Sequence, residues 1–466
     1  MKQAPQIAAA GYTAIWLPPP SDAVSPQGYL PRDLYDLNSK YGSETELREC
    51  IKELKKWNLK VIADIVINHR CAHKQVRASV AALCAAWKRA HRVACLSSTP
   101  SQRGPHSCPA ASDAAGMQDS AGRWNQFGGR LAWDETAICC NNREYGGRGA
   151  HKTGEDYTAA PNIDHTNEGV QQDIINWLCF LKDVGFDGWR FDFTKGYHGK
   201  YSKLYVDATV PEMAFGEFWD TCEYNDCVLN YNQDAHRQRT VDWIDATGGT
   251  CAAFDFTTKG ILQARPCPLL SLSAVSELLT ASWHLLSTDL RTQPHESGWV
   301  QEAVSRNEYW RLVDARGRPP GLIGLWPSRA ITFIENHDTG STLNHWPFPW
   351  DEVCQGYAYI LTHPGTPCVF YDHHWSGTNQ VGEHIRGLLK IRHKCGVNSR
   401  SKVTVRKATS DCYAATVDDK LAVKIGHGPY SPNQDGSIDC GVPRWHCTVS
   451  GVNFAAWVAD GLQDDE

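Results

Sequence analysis

Residues 185–193 read Gly-Phe-Asp-Gly-Trp-Arg-Phe-Asp-Phe, a short apolar run that carries a charged pair, Arg190 and Asp192. Such runs read as buried parallel strands. Side chains two residues apart share one face of a strand, so Arg190 and Asp192 point the same way and meet at its end. Neither charge is buried cheaply alone. A structural ion pair in a sheet core would account for one strand of this kind.

Three more segments share the pattern. Lys60–His69 runs Lys-Val-Ile-Ala-Asp-Ile-Val-Ile-Asn-His and finishes in Asn68 and His69. Residues 212–219 run Glu-Met-Ala-Phe-Gly-Glu-Phe-Trp and place Glu217 near a strand end. Residues 330–338 run Ala-Ile-Thr-Phe-Ile-Glu-Asn-His-Asp and finish in His337 and Asp338. Four β-branched or aromatic strands that each end in carboxylates or imidazoles are poor candidates for four unrelated ion pairs. They fit the C-terminal face of a parallel (β/α)8 barrel, where catalytic groups collect.

In this order the four segments resemble the α-amylase family, glycoside hydrolase family thirteen, and in particular its plant and green-algal members. Further matching stretches are Ile15–Ser21, Gly28–Asp36, Asn232–Arg237, Phe254–Leu262 and Gly356–Asp372. The likeness covers most of residues 5–400 apart from two inserts. It implies a (β/α)8 TIM barrel with an inserted domain B and a C-terminal antiparallel β domain. The activity it implies is endo-acting hydrolysis of internal α-1,4 bonds in starch and related α-glucans.

The residue types suit that chemistry in their own right. Cleaving an acetal needs a proton for the leaving oxygen and stabilisation of an oxocarbenium-like carbon. Asp192, kept ionised by Arg190 beside it, suits the nucleophile. Glu217, in an apolar and aromatic setting, suits a carboxyl of raised pKa that donates the proton. The resemblance makes Asp338 a third carboxylate clamping sugar hydroxyls, and His69 and His337 the imidazoles that hold hydroxyls at the cleavage point. It makes Tyr29 an aromatic platform beneath that sugar, and places Arg190, Lys195 and Trp219 among the substrate contacts. It implies a retaining mechanism, with the two main carboxyls roughly 5–5.5 Å apart. Two other functions stay open here: a relative that acts on α-1,6 links or transfers glucans, and a non-catalytic glucan-binding relative.

A metal follows from the same resemblance. Residues 68–161 correspond to domain B, where Asn68, Asp156 and the backbone oxygens of Ala159 and Gly196 match ligands of Ca²⁺. Carboxylate, amide and carbonyl oxygens are what a hard cation takes. Plant relatives carry two aspartates where this chain has Asn142 and Asn162. The amides keep an oxygen but lose the charge, so one structural Ca²⁺ is expected and not a multi-calcium cluster. Leu325-Trp326 stands where plant relatives present two adjacent tryptophans as a starch platform, which halves that stacking surface.

Composition agrees with an enzyme of this class. The 466 residues suffice for a barrel plus a small domain, and the net charge of −6 favours neither nucleic acid nor an anionic membrane. No run of 18 apolar residues suggests a membrane span. The 18 Trp and 17 Tyr offer flat faces for sugar rings, though most suit core packing. A monomer acting on α-glucan is expected. The 18 cysteines are scattered without metal spacing, and the compartment stays open.

Seven barrel strands are expected, at Tyr12–Pro18, Val61–Ile67, the stretch through 185–193, 212–219, 251–257, 330–336 and 367–371. Amphipathic helices are expected at Thr45–Asn58, Glu168–Val184, Asp351–Thr362 and Glu383–Cys395. Seven is one short of a closed barrel, so the chain reads as truncated at its N-terminus, with residues 1–67 and 162–395 forming the barrel. Residues 76–118 and 264–301 read as inserts, either retained introns or lineage-specific surface loops. From 396 to 466, short alternating runs read as the small antiparallel domain.

Overall fold

The computed structural model describes residues 2–72, 127–142, 145–220, 222–225, 228–263, 308–340, 343, 345–375, 380–438 and 444–462. Both expected inserts lie outside the described residues. The chain divides into two compact units, Met1–Trp219 with Asp242–Phe254, and Asp220–Val241 with Asp255–Glu466.

In the first unit, α1 (Ala4–Ala9) precedes β1 (Ala14–Leu17). A capping box starts α2 (Glu44–Lys56): Ser43 Oγ accepts the Glu46 N–H at 3.3 Å and the Glu46 carboxylate accepts the Ser43 N–H at 2.8 Å. Ile51 and Leu54 of α2 are buried, as its helical spacing requires. Then come β2 (Lys60–Ile65), α3 (Glu168–Val184), β3 (Gly188–Phe191), α4 (Gly199–Thr209), β4 (Met213–Gly216) and β5 (Ala252–Phe254). Strands β1 to β5 pair in parallel with their sequence neighbours, through registers such as Ile62↔Gly188, Gly188↔Met213 and Phe215↔Ala252. All four residues of β3 are buried, which is why the strand reads as a continuous apolar run.

The second unit includes α5 (Phe256–Gln263) and the parallel pair β6 (Ala330–Thr332) and β7 (Thr366–Pro367). The parallel strands of the two units together number seven among the described residues. All seven end sooner than expected, and at three of them the local geometry shows why. The strand at 251–257 stops at Phe254 because Asp255 Oδ1 accepts the Thr258 N–H at 2.9 Å and starts a helix instead. Past Thr332 the chain leaves β6, and Asn336 Oδ1 accepts the backbone N–H groups of Asp338 and Thr339 in a tight turn. The run at 367–371 gives way to α7 (Tyr371–Trp375), after α6 (Val353–Thr362).

Helix α8 (Gln380–Cys395) leads into an antiparallel sheet of β8 (Val403–Ala408), β9 (Tyr413–Val417), β10 (Leu421–Ile425), β11 (Trp445–Gly451) and β12 (Phe454–Ala459), in the order β8-β9-β10-β12-β11. The period-two runs at the C-terminal end thus form the expected β domain. No helix among the described residues is long and apolar enough to cross a membrane.

Candidate active site

Arg190 is the hub of the first unit. Its guanidinium is fully buried and touches three carboxylates: Nη1 lies 2.8 Å from Asp64 Oδ1 and 2.7 Å from Asp192 Oδ1, and Nη2 lies 2.7 Å from Glu217 Oε1. Parallel pairing explains the convergence. Register Asp64↔Arg190 sets Asp64 beside the arginine, while Glu217, one residue past the end of β4, hydrogen-bonds through its N–H to Phe191 O at 2.9 Å. Asp192 follows β3 directly, and its N–H reaches Ile65 O at 3.0 Å. Asp192 and Glu217 remain almost buried. The arginine therefore serves both main carboxyls, whereas the sequence suggested it for Asp192 alone.

Asp64 escaped the sequence analysis as a site residue. It accepts hydrogen bonds from Tyr29 Oη at 2.7 Å and Trp16 Nε1 at 3.1 Å as well as from Arg190. Burial pushes its carboxyl up to about 7; Arg190 opposes this, the Asp192 charge adds to it, and the Tyr29 hydrogen bond opposes it. The signal was available: an aspartate inside an apolar strand raises the same question as Arg190. Tyr29 is thereby held by its hydroxyl, with its ring 5.8 Å from the Arg190 guanidinium carbon.

His69 is buried, and both ring nitrogens are engaged. Nε2–H donates to Tyr29 O at 2.7 Å, Asn68 Nδ2 lies 3.3 Å from Nδ1, and the ring stacks on Tyr157 at 3.8 Å. Burial lowers its pKa and keeps the imidazole neutral. Phe193 takes a left-handed conformation (φ 41°), a strained state for a residue with a side chain, at the turn where strand gives way to active-site loop. Its N–H points to Glu217 Oε2 at 3.4 Å. Lys195, just beyond, pairs with Glu155 at 2.8 Å. Trp219, two residues past Glu217, is half-buried.

His337 and Asp338 belong to the second unit. His337 Nε2 lies 3.3 Å from Asp338 Oδ2, and both side chains are about one-fifth exposed. The turn around Asn336 presents them side by side.

The expected metal ligands can be tested on the donor set. Gly196 packs so tightly on Asn68 that a Cβ there would fall 1.9 Å from Oδ1. Gly154 packs onto the backbone of Lys195–Tyr197, and the Glu155 N–H donates to Lys195 O at 2.7 Å, so the loop bearing Asp156 runs along Gly196. Asn142 Oδ1 accepts the Asn162 N–H at 3.1 Å, and the buried Asn162 Nδ2 has no hydrogen-bond partner among the described residues. The amide, carboxylate and carbonyl oxygens in the expected set are donor types that a hard cation takes. They do not fit several such cations, because Asp156 is the one carboxylate in the set, and it pairs with Lys152. Among the described residues, no group of three or more His, Cys, Asp or Glu could hold a metal by itself.

Comparison with known proteins gives the family. The family described as "Alpha amylase, catalytic domain" matches residues 3–242, and "Alpha-amylase C-terminal beta-sheet domain" matches residues 394–458. The chain is 41% identical over 457 residues to "Alpha-amylase 3, chloroplastic" of Arabidopsis thaliana, covering 98% of this chain and 41% of that protein. It is 41% identical over 455 residues to "Probable alpha-amylase 2" of the same plant, covering 97% of this chain and 88% of that protein. The chain thus spans less than half of the first relative and most of the second. A solved α-amylase from Malbranchea cinnamomea shares the fold at 16% identity, with a TM-score of 0.53 over 91% of this chain and 76% of that one.

Proposed function

The chain belongs to the α-amylase family of glycoside hydrolases, and we propose that it hydrolyses internal α-1,4 bonds of starch and related glucans with retention at the anomeric carbon. The observation that carries the mechanism is the shared grip of Arg190 on Asp192 and Glu217. In the first step the Asp192 carboxylate attacks C1 of the sugar at the cleavage point. The C1–O bond breaks as Glu217 gives its proton to the leaving oxygen. In the second, Glu217 takes a proton from water, the oxygen attacks C1, and Asp192 is released. Arg190 Nη1, 2.7 Å from Asp192 Oδ1, orients the carboxylate for attack. The same guanidinium lies 2.7 Å from Glu217 Oε1 and so positions the proton donor as well.

Asp338 clamps sugar hydroxyls in this scheme, His337 and His69 line the cleavage point, Tyr29 forms the platform, and Lys195 and Trp219 contact the glucan beyond it. One Ca²⁺, held by Asn68, Asp156 and the backbone oxygens of Ala159 and Gly196, would stiffen the junction between barrel and domain B; it supplies no reacting group. Residues 1–67 and 162–395 then form the catalytic barrel, 68–161 domain B and 396–466 the C-terminal domain, working as a monomer.

The test is the configuration of the first product released from a linear maltooligosaccharide, followed by proton NMR. The α anomer is expected. Inversion would remove Asp192 as nucleophile, and an Asp192→Asn protein at full rate would remove it altogether. Equal action on α-1,6 links, or glucan transfer without net reducing ends, would move the chain to another branch of the family.

A further inference from the structure

We propose that Glu335 is a positioning residue for Asp338 and acts through the neck of the turn that carries it. The proposal rests on the role given to Asp338 above. Glu335 is buried (6% exposed), too deep to meet a glucan directly. Its Oε2 lies 2.6 Å from His373 Nε2, and Oε1 accepts the N–H of Phe348. His373 is oriented in turn. Tyr357 Oη, which accepts the Phe370 N–H at 3.2 Å, lies in hydrogen-bond contact with His373 Nδ1 at 2.8 Å. The ring is thus pinned between the Tyr357 hydroxyl and the Glu335 carboxylate. Tyr357 and His373 are buried as well.

The other side of the neck is held by Lys259. Its fully buried ammonium donates to Ile334 O at 2.7 Å and to Trp346 O at 3.0 Å. Residues 334 and 335 are thus tied to 346 and 348 by two charged side chains. Above this neck the outgoing and returning limbs hydrogen-bond to each other. Leu343 N–H donates to His337 O at 3.2 Å, His345 N–H to Asp338 O at 3.0 Å, and Trp346 N–H to Thr339 O at 3.1 Å. Gly340 passes directly over the Glu335 side chain, where a Cβ would lie 2.7 Å from Cγ. Among the described residues, these backbone hydrogen bonds refer Asp338 to the neck that Glu335 closes. An ångström of play there would misplace the Asp338 carboxylate, and a reacting geometry tolerates little of that. A buried carboxylate–imidazole pair is weak as a source of stability alone, which favours a positional role.

The experiment measures kcat, KM and thermal midpoint on a soluble linear glucan for Glu335→Gln, Glu335→Asp and Tyr357→Phe, with Glu335→Gln repeated in an Asp338→Asn background. Expected is a fall in kcat of about tenfold for Glu335→Gln with KM little changed. Glu335→Asp, which keeps the charge, should recover part of it, and Tyr357→Phe should show a smaller fall of the same kind. In the Asp338→Asn background the Glu335 substitution should cost nothing further, because the group it positions is gone. A full penalty in that background, or a change confined to KM or to the thermal midpoint, overturns the proposal. An Asp338→Asn protein at full rate identifies a different failure, that of the catalytic role of Asp338 itself. Tyr357→Phe removes only a hydroxyl, so it keeps the test alive if Glu335 variants fail to fold.

Discussion

Arg190 Nη2 sits 2.7 Å from Glu217 Oε1, so the guanidinium that holds the nucleophile also holds the proton donor. The two carboxyls are coupled through one cation, and Asp64 is coupled through it as well.

Replacing that cation should be severe. Arg190→Leu leaves Asp64, Asp192 and Glu217 buried around an uncharged side chain. Removing one partner of a buried charge cluster costs about 3–5 kcal/mol. Denaturant unfolding should show a loss of that size, and reducing-end assays should show no hydrolysis. Arg190→Lys should retain a charge but not the fork that reaches three acceptors, and should fall between the two.

Asp64 gives a signed pH effect. Its folded pKa of about 7 lies above the ordinary 3.8, so between those values the folded protein keeps a proton that the unfolded chain has released. Stability from this group is full below about pH 4 and is lost as pH rises through 7, at about 1.4 kcal/mol per unit of displacement. Urea unfolding of Asp64→Asn at pH 4.5, 6 and 7.5 should show a shallower decline than the parent chain.

His165 and His363 act in the opposite direction. Burial lowers both to about 4, from an ordinary 6.5. His165 Nε2 donates to Ile67 O at 3.0 Å and accepts from Tyr205 Oη at Nδ1, at 2.7 Å. The unfolded chain takes up these protons first as pH falls below 6.5, so stability present above 6.5 is lost toward pH 4. His165→Gln should remove part of that acid limb in the same unfolding series. An unchanged acid limb would show that the ring carries no part of it.

The neutral amides near Asn68 set the expected calcium affinity. Restoring charge with Asn142→Asp and Asn162→Asp should tighten Ca²⁺ binding about tenfold or more by calorimetric titration, because ligand charge governs affinity at such sites. Lys152→Ala, which releases Asp156, should act in the same direction. If neither raises affinity, or if the parent chain shows no Ca²⁺-dependent rise in thermal midpoint, the Asn68 site is withdrawn.

Much of this was legible before any coordinates. Apolar runs ending in Asp192, Glu217 and Asp338 announced a barrel's active face, because a charge in a buried strand needs a reason. The helices at 45–58 and 168–184 followed from apolar spacing, and the C-terminal sheet from period-two runs. Strand ends were less legible. Phe256 and Thr257 look like strand residues, and only the cap supplied by Asp255 makes them helical. The ring contacts of His69 with Tyr29 and Asn68 left no trace in the sequence either.

What the amino-acid order determined by itself was which residues carry chemistry and which strands bear them, since both are local: a hydrophobic period and a polar residue at its end. What only the tertiary structure decided was who holds whom. Arg190 meets Asp64 through the pairing of β2 with β3, and Glu217 through the pairing of β3 with β4. Glu335 meets His373, a residue far along the chain. Such partners are set by strand register and by the folding back of a loop, and neither leaves a pattern along the sequence.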